Sequence, residues 1–485
     1  MFLDQEVWKG NLFIGGQWVA GSGGVADVVE PATGDTIGVV GMANAADVAK
    51  AAEVAAAAQR EWAALPHPAR SAVLRKAGQL FAEHADEISW WNVREVGAIP
   101  PMAGFAVHVA EAECYEAASL PGRPYGELLS SEQPRLSLAR RVPVGVVGVI
   151  SPFNVPLILS IRSVAPALAL GNAVILKPDP RTVVTGGFSI AAIFEEAGLP
   201  AGVLQVLPGA ADVGEALVTH PLVRVISFTG STAAGRRVGE LAGKHLKRAH
   251  LERGGHSAMI VLEDADVDEA VTLAAFGTFF HQGQICMTTG RHIVHDRLYD
   301  DFVERLAGKA AHLPVGDPAR GEVAIGPLID AGQRDKIHEI VTSSVASGAK
   351  LAAGGTYTDL FYQATVLADV PSSSRAFAEE IFGPVAPVAR FSSEDEAVAL
   401  ASGEYGLSLG IVTRDVLRGL ALAERLPTGI VHINDQTVSD EANSPFGGVG
   451  ASGTGSRFGG AAANVDAFTE TQWVTMRSQP PTYPF

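Results

Sequence analysis

Cys114 and Cys286 are the only two cysteines in the chain. Two thiols so far apart cannot make a disulfide framework or a thiolate cluster, so any thiol chemistry must be that of a single cysteine. Cys114 sits in VAEAECYEAAS, an Ala- and Glu-rich helical pattern in which a small half-buried residue is the ordinary reading. Cys286 sits in FFHQGQICMTTGR at the end of an expected helix. There, local dipoles or cations could lower its pKa and make the thiolate a nucleophile towards a carbonyl. Read alone, that segment defaults to a core cysteine. His281, His292 and His295 suggest a metal set with Cys286, but His292 and His295 lie three apart in a strand pattern and point to opposite faces. No metal is expected.

Other groups could support such a nucleophile. Glu252 in HLERGGHSAMIV precedes two glycines and a buried strand, and a carboxylate desolvated there would gain a raised pKa and could act as general base. A turn residue paired with Arg253 explains it as well. Asn154 in SPFNVP stands between a strand end and a helix, where its amide could stabilise an oxyanion or simply cap the helix. Lys177 closes the strand AVILKP, where parallel α/β sheets place ligand contacts. In SFTGSTAAGRRVGE a strand ends and Gly230 and Ser231 turn into a helix whose N-terminal amides could receive a phosphate. The Gly-rich match at Gly448, Gly450 and Gly453 has no βαβ unit around it and is assigned to a loop.

These groups need a scaffold. From Ala43 to Ala118 apolar residues recur at helical spacing, predicting successive amphipathic helices. LSLARRVPVGVVGVIS reads as a strand pair leading into a buried strand. Short apolar strands then alternate with helices through VGVVGVI, AVILKP, VLQVLPG and VRVISFTG, which predicts a doubly wound parallel sheet. A second α/β run starts near His250 with AMIVLED, continues through RHIVHD and ends at GIVHIND. The length favours two or three domains. With 47 % apolar and 18 % charged residues the chain is of globular composition, and its net charge of -17 disfavours nucleic acid and anionic membranes as partners. The apolar stretch Val142 to Leu170 is broken by prolines, Asn154 and Arg162, so no membrane span is expected. The N-terminus shows no targeting pattern, and a cytoplasmic location is expected.

Taken in order, SPFNVP, ILKP, FTGST, LERGG, GQIC, EEIFGPV and SPFGG make the chain similar to the aldehyde dehydrogenase superfamily along essentially its whole length. The resemblance implies an α/β fold with a Rossmann-type cofactor domain (1–119 and 143–249), an α/β catalytic domain (250–434) and a small β oligomerisation element (120–142 and 466–485), with 435–465 returning to the cofactor domain. It implies Cys286 as nucleophile, Glu252 as general base, and Asn154 with the Cys286 backbone N–H as oxyanion hole. It further implies Lys177 at the adenosine ribose, Gly230 and Ser231 at the pyrophosphate, and Glu380 and Phe382 at the nicotinamide. The reaction implied is oxidation of an aldehyde to the acid through a thiohemiacetal and a thioester. Relatives that pass the acyl group to coenzyme A lack the glutamate, so hydrolysis is expected.

Within the superfamily, ISPFNVPLILSIRSVAPALALGN, HQGQICM and VHINDQTVSDEANSPFGG resemble benzaldehyde and vanillin dehydrogenases. By that resemblance Val155, Ile158, Leu159, Arg162, Ile285 and Met287 line the substrate tunnel, an apolar wall suited to an aromatic ring. Arg162 is read as a structural ion pair or as a contact to a ring substituent. An aliphatic or semialdehyde dehydrogenase is the alternative, and a cysteine-dependent esterase the alternative from another class. Two departures stand near the base: Arg253 where leucine is usual, whose cation could lower the pKa of Glu252, and His256. A third concerns the cofactor, because Pro180 stands where NAD-preferring relatives carry glutamate. Asp179, one residue earlier, should still repel a 2′-phosphate, so NAD is expected with NADP as the alternative. A homodimer or homotetramer is expected.

Overall fold

The computed structural model describes residues 2–123 and 125–485. The expected amphipathic run forms the helices Ala45–Ala64, His67–Glu83, Ala85–Trp91 and Pro100–Ser119. The first shows the physics plainly. Asn44 and Asp47 form a capping box at its start, and Val48, Ala51, Ala52, Ala55 and Trp62 make its buried stripe. Trp62 then ties this layer to the next by donating its indole N–H to the Leu168 carbonyl, 2.8 Å away.

The strands that follow build a seven-stranded sheet in the order Arg248–Glu252, Val223–Thr229, Val146–Ile150, Ala173–Lys177, Leu204–Val206, Asn11–Ile14, Gln17–Ala20. The first five are parallel, and the two N-terminal strands close the edge antiparallel. Alternation along a strand sends side chains to opposite faces. Val147 and Val149 therefore enter one core with the helices His67–Glu83, Pro100–Ser119 and Pro156–Ala169, whereas Val146 and Ile150 enter another with Ala45–Ala64 and Ala211–Thr219. This is the doubly wound layering expected, with helices on both faces.

A second seven-stranded sheet runs Lys350–Ala353, Thr365–Ala368, Val385–Phe391, Thr289–His295, Ser257–Val261, Ser408–Val412, Ile430–Ile433, parallel except for its first strand. The boundary expected at 249/250 falls inside a strand. Arg248–Glu252 pairs along its length with Val223–Thr229, so the first sheet extends through Glu252.

The expected strand pair in LSLARRVPVGVVGVIS is also corrected. Leu136–Pro143 does not pair with Val146–Ile150. It pairs antiparallel with Gly126–Leu128 and, over eight residues, with Thr469–Met476. The chain changes sheets at Pro143, which has no N–H to donate, and at Gly145, whose φ of 114° suits glycine. Among the described residues no helix is long and apolar enough to cross a membrane.

Candidate active site

The two sheets meet the chemistry at their loops. A cleft of about 300 Å³ is lined by Ile150 to Asn154, Lys177, Phe228 to Ser231, Gly254, Cys286, Glu380 and Phe382. Three parallel strands, Val146–Ile150, Ala173–Lys177 and Val223–Thr229, thus deliver their carboxyl ends to one crevice, where open α/β sheets bind ligands.

Cys286 stands in a turn between the helix Val267–Phe279 and the strand Thr289–His295, partly exposed to the cleft. Its loop is held from several sides. His281 and Gln282 both adopt positive φ, 52° and 58°, conformations that need surrounding support. That support is visible. Gln282 Nε2 donates to the Gly97 and Pro327 carbonyls, Gln284 Oε1 accepts from the Ile329 N–H, and the buried His281 ring meets the Asn154 carbonyl at 2.7 Å. Burial holds His281 below the usual imidazole pKa, so neutral His281 donates there through Nε2. The other two histidines also have partners of their own: His292 bridges Thr278 and the Pro387 carbonyl, and His295 accepts the Arg297 N–H.

Asn154 reaches the same loop. Its Nδ2 donates to the Gln284 carbonyl at 2.7 Å, which orients the amide and leaves its second N–H uncommitted. Capping is not its role, because the helix Pro156–Ala169 begins after Val155 and receives no side-chain cap bond. Burial, with Glu380 and Glu252 nearby, pushes the Cys286 thiol up to about 12.

Glu252 ends its strand almost fully buried. Its Oε2 accepts the Gly448 N–H at 3.1 Å, while Oε1 has no hydrogen-bond partner. Burial raises its pKa to about 8, and the Gly448 bond and nearby arginines only partly offset this. Arg253 does not pair with it. Its Nη2 donates to the Gly450 carbonyl and its backbone N–H to the Ser452 carbonyl, so its guanidinium is engaged away from the carboxylate. His256 likewise turns away, onto the Phe377 carbonyl.

The cofactor-type residues share the cleft. Lys177 Nζ is buried and makes only a long contact, 3.4 Å, to the Pro178 carbonyl, and burial lowers its pKa. Ser231 caps the helix Thr232–Lys244 by accepting from Ala234 N–H, while the Gly230 N–H is spent on the Glu252 carbonyl. Glu380 Oε1 accepts the Gly255 N–H at 2.8 Å, and burial raises this carboxyl to about 7. Phe382 is held at a φ of 58° by Gln333, whose Nε2 donates to its carbonyl, and its ring meets Phe153 edge to face. A Cβ on Gly254 would lie 2.1 Å from Glu380 Oε2. The Gly254→Ala variant is therefore expected to fold, because a flexible carboxylate can yield. It should lose about tenfold or more in kcat/KM as Glu380 is displaced, which steady-state kinetics and a thermal melt would check together.

Asp179 does line the cleft, but not as a bare charge. Arg181 forks it through Nε and Nη2 at 2.9 and 3.0 Å, bridges on to Asp330, and stacks 4.2 Å over Phe153. The Asp179 charge expected to repel a 2′-phosphate is thus offset by the Arg181 cation paired with it.

All six expected tunnel residues border a second, narrow cavity of about 40 Å³ that Asn154 and Cys286 also line. On Pro156–Ala169 the contributors Ile158, Leu159 and Arg162 fall on one helical face. Sequence reasoning missed other walls, among them Phe280, Asp440 and Phe446, and it missed Gly448 as the donor to Glu252. The available signal for Gly448 was its place as the last residue of the SPFGG motif.

The aldehyde dehydrogenase family model matches residues 18–474. The chain belongs to that family. As an aldehyde dehydrogenase, it is similar over its full length to curated relatives. It is 67 % identical to a vanillin dehydrogenase of Amycolatopsis sp., covering 100 % of both chains. It is 51 % identical to the NAD(+) benzaldehyde dehydrogenase of Pseudomonas putida, with 99 % of each covered. Among solved structures it superposes with a TM-score of 0.95 on a salicylaldehyde dehydrogenase from Pseudomonas putida G7 complexed with salicylaldehyde, at 36 % identity, covering 99 % of this chain and 100 % of that one. The α/β fold with a Rossmann-like sheet is thus the aldehyde dehydrogenase fold.

Proposed function

We propose that the protein oxidises an aromatic aldehyde to its carboxylic acid with NAD, NADP being the alternative cofactor. The observation that carries this reading is the convergence of Cys286, Asn154 and an apolar slot on one cavity, beside a cleft at the carboxyl ends of parallel strands. The named activities of relatives at 67 % and 51 % identity support the aromatic class.

The residues present fit a nicotinamide dinucleotide. A buried Lys177 ammonium without a strong partner suits ribose hydroxyls, the Ser231-capped helix start suits a pyrophosphate, and Glu380 with Phe382 suits the nicotinamide end. When bound, the dinucleotide supplies a hydride acceptor. The chain supplies the rest. The partly exposed Cys286 thiol loses its proton to solvent in the cleft, Sγ adds as the thiolate to the carbonyl carbon, and the developing oxyanion is met by the uncommitted Asn154 N–H and the Cys286 backbone N–H. Loss of hydride from that carbon leaves a thioester on Cys286. Glu252, through the unpartnered Oε1, takes a proton from water, and the resulting hydroxide releases the acid and restores the thiolate.

The division into a cofactor unit, a catalytic unit and a β element is proposed with the first boundary moved past Glu252. The element formed by Gly126–Leu128, Leu136–Pro143 and Thr469–Met476 exposes Leu128, Leu136, Trp473 and Met476, which supports its use between subunits of a homodimer or homotetramer. A reducing, cytoplasmic setting suits a free catalytic thiol.

The test is NAD(P)H formation with benzaldehyde, vanillin, acetaldehyde and succinic semialdehyde. Aromatic substrates should lead in kcat/KM by about tenfold or more. Leadership by acetaldehyde or the semialdehyde would overturn the substrate class, and ester turnover without NAD(P) would favour the esterase.

A further inference from the structure

The narrow cavity is apolar on most of its wall, yet one charged group borders it. Arg162 is 3 % exposed, and its guanidinium is engaged on nearly every side. Nε donates to Glu113 Oε1 at 3.3 Å, Nη2 donates to Asp440 Oδ2, and Phe446 packs against the guanidinium carbon, 4.5 Å from ring centroid to Cζ. Burial works against the charge, but Asp440 and Glu113 outweigh it and hold the guanidinium protonated. Nη1 alone is left, buried and without a hydrogen-bond partner. Asp440 borders the same cavity and commits only Oδ2 to Arg162, leaving Oδ1 able to accept.

A cationic N–H buried without an acceptor is costly, and apolar side chains on the same helical face would fill the wall without that cost. Retaining it makes sense if the acceptor arrives with the ligand. The structural pair expected from sequence is therefore present, and it holds the guanidinium in place for a further contact.

We propose that Arg162 and Asp440 form a recognition pair for an oxygen substituent on the substrate ring. Arg162 Nη1 donates to that oxygen and Asp440 accepts the proton of a ring hydroxyl. The inference rests on the aromatic reading above and deepens it. It predicts an order of preference, because a hydroxyl satisfies both groups, a methoxy oxygen satisfies only Arg162, and an unsubstituted ring leaves both unmet.

The experiment measures kcat/KM with saturating NAD for benzaldehyde, its three monohydroxy isomers and the methoxy analogue of the best isomer. It uses the full chain and the variants Arg162→Lys and Asp440→Asn. In the wild type one hydroxy isomer should exceed benzaldehyde by about tenfold or more, with the methoxy analogue between them. Arg162→Lys keeps a cation for Glu113 and Asp440 but loses the free donor. It should bring the hydroxy isomer to near parity with benzaldehyde, lowering kcat/KM for the hydroxy isomer by about tenfold more than for benzaldehyde. Asp440→Asn should narrow the gap between hydroxyl and methoxy.

Turnover of benzaldehyde with no hydroxyl advantage in the wild type overturns the pair alone, and that comparison stands even if a variant does not fold. Equal losses on both substrates in Arg162→Lys also overturn it, since they mark a purely structural ion pair. Oxidation of aliphatic but of no aromatic aldehyde overturns the substrate class and the pair with it.

Discussion

Replacing Cys286 with alanine is expected to lower aldehyde oxidation by about 10⁴-fold or more, because among the described residues no other thiol lines the cavity or the cleft to form the covalent intermediate. The only other cysteine, Cys114, is fully buried in the helix Pro100–Ser119 and cannot substitute. The loop around Cys286 is held by Gln282, Gln284 and His281 rather than by the thiol, so the variant should keep its fold and its cofactor affinity. Quenching of protein fluorescence by NAD(P)H would verify the second point. Undiminished turnover in the variant would remove the thiol mechanism altogether. In the wild type, a thiol pushed up to about 12 by burial and by Glu380 and Glu252 is protonated at neutral pH. Alkylation of the cofactor-free protein by iodoacetamide should accordingly be slow and should speed up with rising pH.

Glu252→Gln carries the second large effect. Steady-state turnover should fall by about 10² to 10⁴-fold, the usual contribution of a positioned general base. The first turnover should survive. A burst of about one NAD(P)H per site, followed by a slow phase, would show acylation without hydrolysis. The pH dependence follows from the environment of the carboxyl group. Burial raises its pKa to about 8, so the fraction able to accept a proton grows as pH rises and levels off above that value. Deacylation in the wild type should therefore climb through pH 8 and flatten about one unit above it, and the climb should vanish in the glutamine variant. A wild-type profile falling across that range would contradict the assignment.

The same residue shows what can be read in a linear chain. Glu252 and its two following glycines were recognisable because turn chemistry and a buried strand are local features. Its hydrogen-bond donor, Gly448, was not recognisable as its partner, because a separation of 196 positions erases any spacing rule. Arg162 and Glu113 divide in the same way. The apolar face of the Arg162 helix was legible as a wall, and an ion pair was among the readings of Arg162, but nothing local named its partner. Helical phase gave a faint pointer, since Glu113 lies between Ala110 and Ala117 on the buried stripe of Pro100–Ser119. Asp440 lies in a segment without regular periodicity, and only tertiary contact brings it to Arg162. The alternation of strands and helices disclosed both parallel sheets, whereas the pairing of Leu136–Pro143 with Thr469–Met476 depends on distant chain and was misread as a local strand pair.

The tie between Glu252 and the segment around Gly448 also dictates the order in which the centre comes into being. The cysteine loop and the strand ending at Glu252 can form once the first part of the chain is made, but the base is seated only when a segment near the C-terminus docks against it: Ser452 accepts from Arg253 N–H and Gly453 bridges to Glu252. Contacts of such long range close late, since loop-closure entropy must be met first. During synthesis or refolding the thiol is therefore present before its partner carboxylate is fixed, and competence should lag behind helix content. Circular dichroism should recover before NAD(P)H production does, and a chain ending before Gly448 should remain hydrolytically silent however well its first sheet is folded.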